Sequence, residues 1–393
     1  MRGWAGAYGT LAALTLARVA FGFQLQTVAS LGPELARAFG MDFATLGTLM
    51  GLYMIPGVLV AIPCGFIARR IGDRDVVAAG LAMMAAGSLL SAAATGPWGI
   101  GAGRVLSGAG AVAMTVMQGK IMSDRYQGRR FTMLMGVLVG AFPIGIGLAQ
   151  LLQHKLATAY GWPAAFIAGC VAALLALGSF LATWTGAPHA APRTLAWPPR
   201  RETALVVVSG LIWTAYNAAY FNFLSFMPSY LAAHGHPVWV ADTVMTFATW
   251  GNMPAILLGG ALASRFGPNR VFVAGTLLCA ASVAGSAVLD MPLLWGAVFG
   301  TVASMHGGLI IEIGTLSARP ENRAVGMGIF YTTYYLGGAG LPALCGKAAD
   351  LAGDPVGAFL AAAGLSLWIG LDHFRRELQP RHGVILVTLV WVV

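Results

Sequence analysis

Apolar runs of about twenty residues recur twelve times along this chain, and that is the length a helix needs to cross the hydrocarbon core of a bilayer. They lie near residues 7–30, 43–65, 76–95, 98–122, 131–153 and 163–184, then 203–230, 241–263, 271–289, 292–316, 325–346 and 356–372, here called spans 1 to 12. In hydrocarbon every backbone polar group must be satisfied internally, so such runs fold as helices. Charge settles the solvent. Only 9% of the 393 residues are charged, against roughly a quarter in soluble domains, too few to clothe a surface facing water. The fold expected is an all-α integral membrane protein of twelve transmembrane helices, arranged six plus six.

Between the sets lies a stretch with four prolines (Pro188, Pro192, Pro198 and Pro199) and no apolar run, which reads as a linker. The expected organisation is a first bundle at 1–184, a cytoplasmic linker at 185–202, a second bundle at 203–374 and a cytoplasmic tail at 375–393. Counting Lys and Arg loop by loop tests orientation, because cytoplasmic loops retain positive charge. With both termini inside, seventeen cations fall in cytoplasmic segments and only Arg37, Lys155 and Lys347 on the other side. The net charge of +9 is therefore a topogenic signal rather than a nucleic-acid footprint. Arg18 interrupts the first apolar run and no cleavage site follows, so the N-terminus reads as a retained span. The apolar residues 383–393 would reach about 16 Å as a helix, half a bilayer core.

An internal repeat appears at an offset of 195 residues. Gly65, Ala68, Arg70 and Gly72 fall on Gly260, Ala263, Arg265 and Gly267, and beyond them Val76 and Gly80 fall on Val271 and Gly275. Both copies close the second span of their half. Duplicated halves of this kind are a transporter architecture. These residues resemble the major facilitator superfamily over essentially the whole chain. Its loop motif, roughly G-x-L-a-D-R-x-G-R-R, is matched by Gly65, Ala68, Arg70, Gly72 and Arg74, and again by Gly260, Leu262, Ala263, Arg265, Gly267 and Arg270. Arg104, Gly108 and Gly110 match its fourth-helix pattern. Gly140, Pro143, Gly145 and Gly147 resemble the fifth-helix motif of exchangers, with Phe142 where glycine is usual. Arg69 and Ser264 replace the motif's acid, so its gating role does not carry over. Within the family, the run from Arg18 to Thr27 and Phe142-Pro-Ile-Gly145 are similar to the cyanate and nitroimidazole transporter branch. The resemblance implies two pseudo-symmetric six-helix bundles (the major facilitator fold), with spans 1, 4, 7 and 10 lining a central cavity.

Ionisable groups inside spans are costly and mark candidate sites. Arg18 lies about 16 Å into span 1, and Thr15, Arg18, Gly22 and Gln26 share one helical face. Arg18 and Gln26 are candidate substrate ligands; the alternative for Arg18 is a structural cation satisfied by helix-end carbonyls or a carboxylate. Arg104 and Lys120, both on span 4, are also candidates, although sixteen residues rotate them by about 160°. Lys120 has the alternative of snorkelling to the inner interface. Glu312, the acid on span 10, is expected to share a face with Thr301, Met305 and Gly308 and to couple protons or form a gate. His306 is a candidate for substrate binding or proton relay, against a packed role. Trp213, Tyr216, Asn217 and Tyr220 offer ring surface and hydrogen bonds on one face of span 7. The similarly spaced Tyr331, Tyr334 and Tyr335 of span 11 read as packing.

Deep cations outnumber deep acids, so a small organic or inorganic anion is the expected substrate, moved by alternating access with proton coupling through Glu312. Proton-driven multidrug efflux and a non-transporting receptor on the same fold are the alternatives. No nucleophile and base pair, HExxH motif or P-loop supports an enzyme. Cys64, Cys170, Cys279 and Cys345 lie in separate apolar runs, so neither a metal site nor a disulfide framework is indicated and no cofactor is expected. The expected setting is a multi-pass monomer in a cell inner membrane, its partners a small molecule, the lipid bilayer and protons, with no nucleic acid.

Overall fold

The computed structural model describes residues 2–126, 128–186, 197–319 and 322–365, and these are predominantly helical, with no strand among them. The chain divides into two compact units, Met1–Arg193 and Thr194–Val393. In the first unit, Arg2–Ser30, Asp73–Ala92, Pro97–Arg125, Gly128–Tyr160 and Pro163–Thr183 occupy spans 1, 3, 4, 5 and 6. In the second, Arg200–Ala233, Pro268–Val288 and Arg323–Ala352 occupy spans 7, 9 and 11. Val356–Leu365 begins span 12, whose remainder lies outside the described residues, as do the tail and residues 187–196 of the linker. Among the described residues eight helices are long and apolar enough to cross a membrane.

Three spans that read as continuous runs are broken. Span 2 is two helices, Phe43–Leu52 and Ile55–Ile71, and span 8 is Val238–Trp250 followed by Asn252–Phe266. Pro56 and Pro254, each near the start of the second piece, lack the N–H that would continue the ladder. Span 10 runs Pro292–Val298, a π-helical turn Phe299–Ala303, then Gly307–Leu316. That interruption changes the helical phase, and of the face expected to be shared, Thr301 and Gly308 are exposed while Met305 is buried. A short helix, Gly32–Phe39, also forms between spans 1 and 2.

The sequence repeat has a backbone counterpart. Gly72 and Gly267 both adopt φ 91°, with ψ 155° and 142°, and each ends one helix and opens the next. A residue with a Cβ is strained there, which accounts for glycine at both loops. Close packing relies on small residues elsewhere, as expected in lipid. In the first unit a Cβ on Gly22 would strike the Phe142 carbonyl, and one on Gly145 would strike that of Val19. Spans 1 and 5 therefore touch backbone to backbone.

Candidate functional site

That crossing of spans 1 and 5 determines what surrounds Arg18. Its Nη1 donates to Thr115 Oγ1 on span 4 at 2.9 Å. The same guanidinium lies 5.3 Å from the ring centroids of both Phe21 and Phe142. The two rings are 4.9 Å apart and tilted by 51°. Phe21 also stacks on Tyr53, at 6.0 Å and 9°. A midspan cation, a hydroxyl and two ring surfaces thus meet within one unit, contributed by spans 1, 4 and 5. Such a group can hold an anion by charge and hydrogen bonds, and a planar body by ring contact. Of the expected polar stripe on span 1, Thr15 bonds its own helix at Leu11, Gly22 packs against span 5 and Gln26 is buried.

Arg104 is placed differently. It is 2% exposed, and its guanidinium donates to four backbone carbonyls: Nε to Leu49 at 3.2 Å, Nη1 to Gln24 at 2.6 Å, and Nη2 to Leu25 at 3.1 Å and Met50 at 3.4 Å. The break after Leu52 leaves carbonyls without helical donors, and a helix C-terminus favours a cation. Tyr53, at that break, lies 4.4 Å beneath the guanidinium.

Lys120 sits near the end of span 4, its side chain 41% exposed, and pairs with Asp73 at 2.6 Å and Asp124 at 3.0 Å. Asp73, four residues beyond Arg69, opens the helix Asp73–Ala92. Beside it Arg125 donates to the Thr185 hydroxyl and carbonyl and lies over Trp184. Burial pulls the Arg125 guanidinium below its ordinary pKa. Arg70, Gly72 and Arg74 are exposed, while the Gly65 environment lies outside the described residues.

In the second unit the span 7 candidates form an aromatic group at the break in span 10. Tyr216 meets the His306 ring edge-on at 4.9 Å and 81°, and its hydroxyl bonds Ser304. His306 is 2% exposed, also faces Phe272 edge-on, and lies against Gly275 of span 9. Trp213 packs near Tyr216 at 5.3 Å and Tyr334 at 6.3 Å, so one tyrosine of span 11 joins the group. Asn217 donates to the Trp213 carbonyl of its own helix at 2.8 Å. Tyr220 stacks on Phe299, its hydroxyl buried beside Asn252 at the span 8 break. The Glu312 side chain lies outside the described residues. Gly260 and Arg265 lie within the helix Asn252–Phe266 and Gly267 caps it, with Arg265 exposed over Phe266.

Several contributors carried no ionisable signal in the sequence. Thr115, Phe21 and Tyr53 are ordinary residues of apolar helices. Gln24 donates to the carbonyls of Met84 and Gly169, bridging span 1 to spans 3 and 6, and its depth matched that of Gln26. Histidine and carboxylate pairs also tie helix ends, His154 to Glu34 at 2.6 Å in the first unit and His236 to Asp290 at 3.0 Å in the second. Among the described residues no group of three His, Cys, Asp or Glu side chains is arranged to hold a metal ion.

Comparison with known proteins identifies the family. The chain is 27% identical to the inner membrane transport protein YajR of Escherichia coli (strain K12), over 86% of this chain and 76% of that one. It is 25% identical to the 3-(3-hydroxy-phenyl)propionate transporter of the same organism, over 91% and 92%. Its fold matches the inward open xylose transporter XylE from E. coli with a TM-score of 0.77 at 13% identity, covering 94% of this chain and 96% of that one. Residues 14–342 match the Major Facilitator Superfamily, and the chain belongs to that family, whose members are membrane transporters rather than enzymes.

Proposed function

We propose that this secondary transporter moves a small organic anion, an aromatic carboxylate, by alternating access. The observation that carries the reading is the Arg18 guanidinium bonded to Thr115 and flanked by Phe21 and Phe142. Guanidinium binds carboxylate through paired, charge-assisted hydrogen bonds, and the ring faces accept a planar apolar body. The relative that transports 3-(3-hydroxy-phenyl)propionate supports an aromatic acid; the similarity to the cyanate and nitroimidazole branch rests on two short strings alone. In this reading Trp213, Tyr216, Asn217, Tyr220 and His306 contribute the second unit's substrate-facing group. Arg104 and Lys120 hold spans 1, 2, 3 and 4 in place rather than touching substrate, since carbonyls and carboxylates engage them. Gln26 supports the span 1 face.

Proton coupling is assigned to Glu312, the acid of a span interrupted by a π-helical turn. The protein acts as a monomer in a bacterial inner membrane, with both termini and the linker cytoplasmic, an orientation that the arginine-rich loops support.

Uptake of radiolabelled 3-phenylpropionate into proteoliposomes, with and without an inward proton gradient, tests the proposal. Saturable uptake is expected, driven by the gradient and abolished by Arg18→Ala. Glu312→Gln should remove gradient dependence while leaving substrate exchange. Flux of amphipathic cations without carboxylate flux would replace the anion reading with drug efflux.

A further inference from the structure

The geometry points to Phe142 as a specificity-determining residue: its ring forms the wall beside Arg18 that selects a flat aromatic body on the carboxylate over a saturated one. This rests on the carboxylate reading above and goes further, because it assigns the choice among carboxylates to one side chain that charge does not reveal.

Three observations carry it. The ring centroid lies 5.3 Å from the Arg18 guanidinium carbon, so an anion held there brings its organic body against Phe142. Phe21 lies at the same distance, but it is 7% exposed and stacked on Tyr53, leaving less of its ring to meet a ligand. Phe142 is only half-buried. Its backbone is also held in place. Gly22 packs directly on the Phe142 carbonyl, and Gly145, three residues on, packs on that of Val19. The backbone at 142 therefore cannot withdraw from span 1 without separating the two helices. A ring on a fixed backbone gives a rigid contact surface, which discriminates shape better than a mobile one. Where the exchangers' motif has glycine, this chain carries a phenyl group next to its midspan cation.

Ring-to-ring contact is worth about 0.5–1.5 kcal/mol beyond buried area, or roughly 2- to 12-fold in affinity. The probes are 3-phenylpropionate and 3-cyclohexylpropionate, which share a carboxylate and chain length and differ in ring planarity. Competition against labelled 3-phenylpropionate in purified, full-length protein gives the affinity ratio. Wild type should favour the phenyl acid by about fivefold. Phe142→Leu should bring the ratio near unity while still binding both acids, and Phe142→Tyr should keep it. Phe142→Met replaces the leucine variant if that variant does not fold. Arg18→Ala should weaken both acids together.

A wild-type ratio near unity overturns the assignment, as does a Leu or Met variant that keeps the wild-type ratio; in either case carboxylate binding itself stands. If wild type binds neither acid, the carboxylate reading fails and takes this inference with it.

Discussion

Replacing Arg104 with methionine separates a structural from a substrate-binding role for the most buried cation of the first unit. The side chain makes four bonds to carbonyls, each of a kind worth about 1.5–3 kcal/mol when the donor is charged. They do not add at face value, because methionine also removes the penalty of keeping a guanidinium out of water. The net follows from what remains behind. Gln24 and Leu25 lie within the helix Arg2–Ser30 and keep their helical donors, and Met50 keeps the Tyr53 N–H at 3.4 Å. Leu49 loses its guanidinium donor next to the break, at about 1–3 kcal/mol for a bare buried carbonyl. Loss of the contact with Tyr53 contributes about 0.5–2 kcal/mol more. About 3 kcal/mol results, or a fall in Tm of roughly 6–12 °C at 2–4 °C per kcal/mol. Arg104→Lys should recover less than half, since one ammonium cannot reach carbonyls on two helices. The assay is thermal unfolding in detergent, followed by thiol labelling. Buried Cys64 reports on the first unit, and buried Cys279 and Cys345 on the second. Cys64 should label at lower temperature in the variant. An Arg104→Met protein that melts within about 2 °C of wild type, yet loses stabilisation by 3-phenylpropionate, would refute the structural role and return Arg104 to the substrate site.

Other substitutions probe packing and charge. Gly259→Ala directs a Cβ into the Met305 carbonyl and should destabilise by about 1–3 kcal/mol, whereas neighbouring Gly260→Ala meets nothing within 4 Å and should melt like wild type. Gly72→Ala and Gly267→Ala have open space but φ 91°, so each should lower stability by about 1–2 kcal/mol; unequal losses would contradict the shared loop conformation. Lys120→Ala removes the partly exposed cation of the cluster with Asp73 and Asp124, so its effect on stability should stay below about 1 kcal/mol and shrink at high salt. A raised transport KM for 3-phenylpropionate in that variant, with Tm unchanged, would make Lys120 a substrate ligand.

The positions of the helices were legible because hydrophobic run length is a local property and lipid imposes it directly. Their interruptions were less so, although Pro56 and Pro254 inside apolar runs were a usable sign. The π-helical turn in span 10 had no comparable mark, and a helical wheel drawn through it misplaced Met305 relative to Gly308. Depth and rarity drew attention to Arg18, Arg104 and Lys120. Their surroundings were hidden because the partners are backbone carbonyls, rings and acids from helices far off in the chain.

Arg18 and Arg104 show why depth alone cannot assign a role. Both are arginines deep in spans of the same unit, and both lie near rings of one aromatic group: Arg104 beneath Tyr53, Tyr53 on Phe21, and Phe21 beside Arg18. A carbonyl acceptor holds a guanidinium by geometry and competes with any arriving carboxylate for the same N–H groups. A ring face attracts the charge without consuming those donors. Arg104 has four carbonyls around one guanidinium, so a substrate carboxylate would have to displace bonds that hold spans 1, 2 and 4 together. Arg18 is flanked by Phe21 and Phe142, which stabilise its charge from the side, and its Nη1 donates to the Thr115 hydroxyl. Under the proposed carboxylate reading, the acceptor chemistry around each cation, rather than its depth, separates a fastening arginine from a substrate ligand.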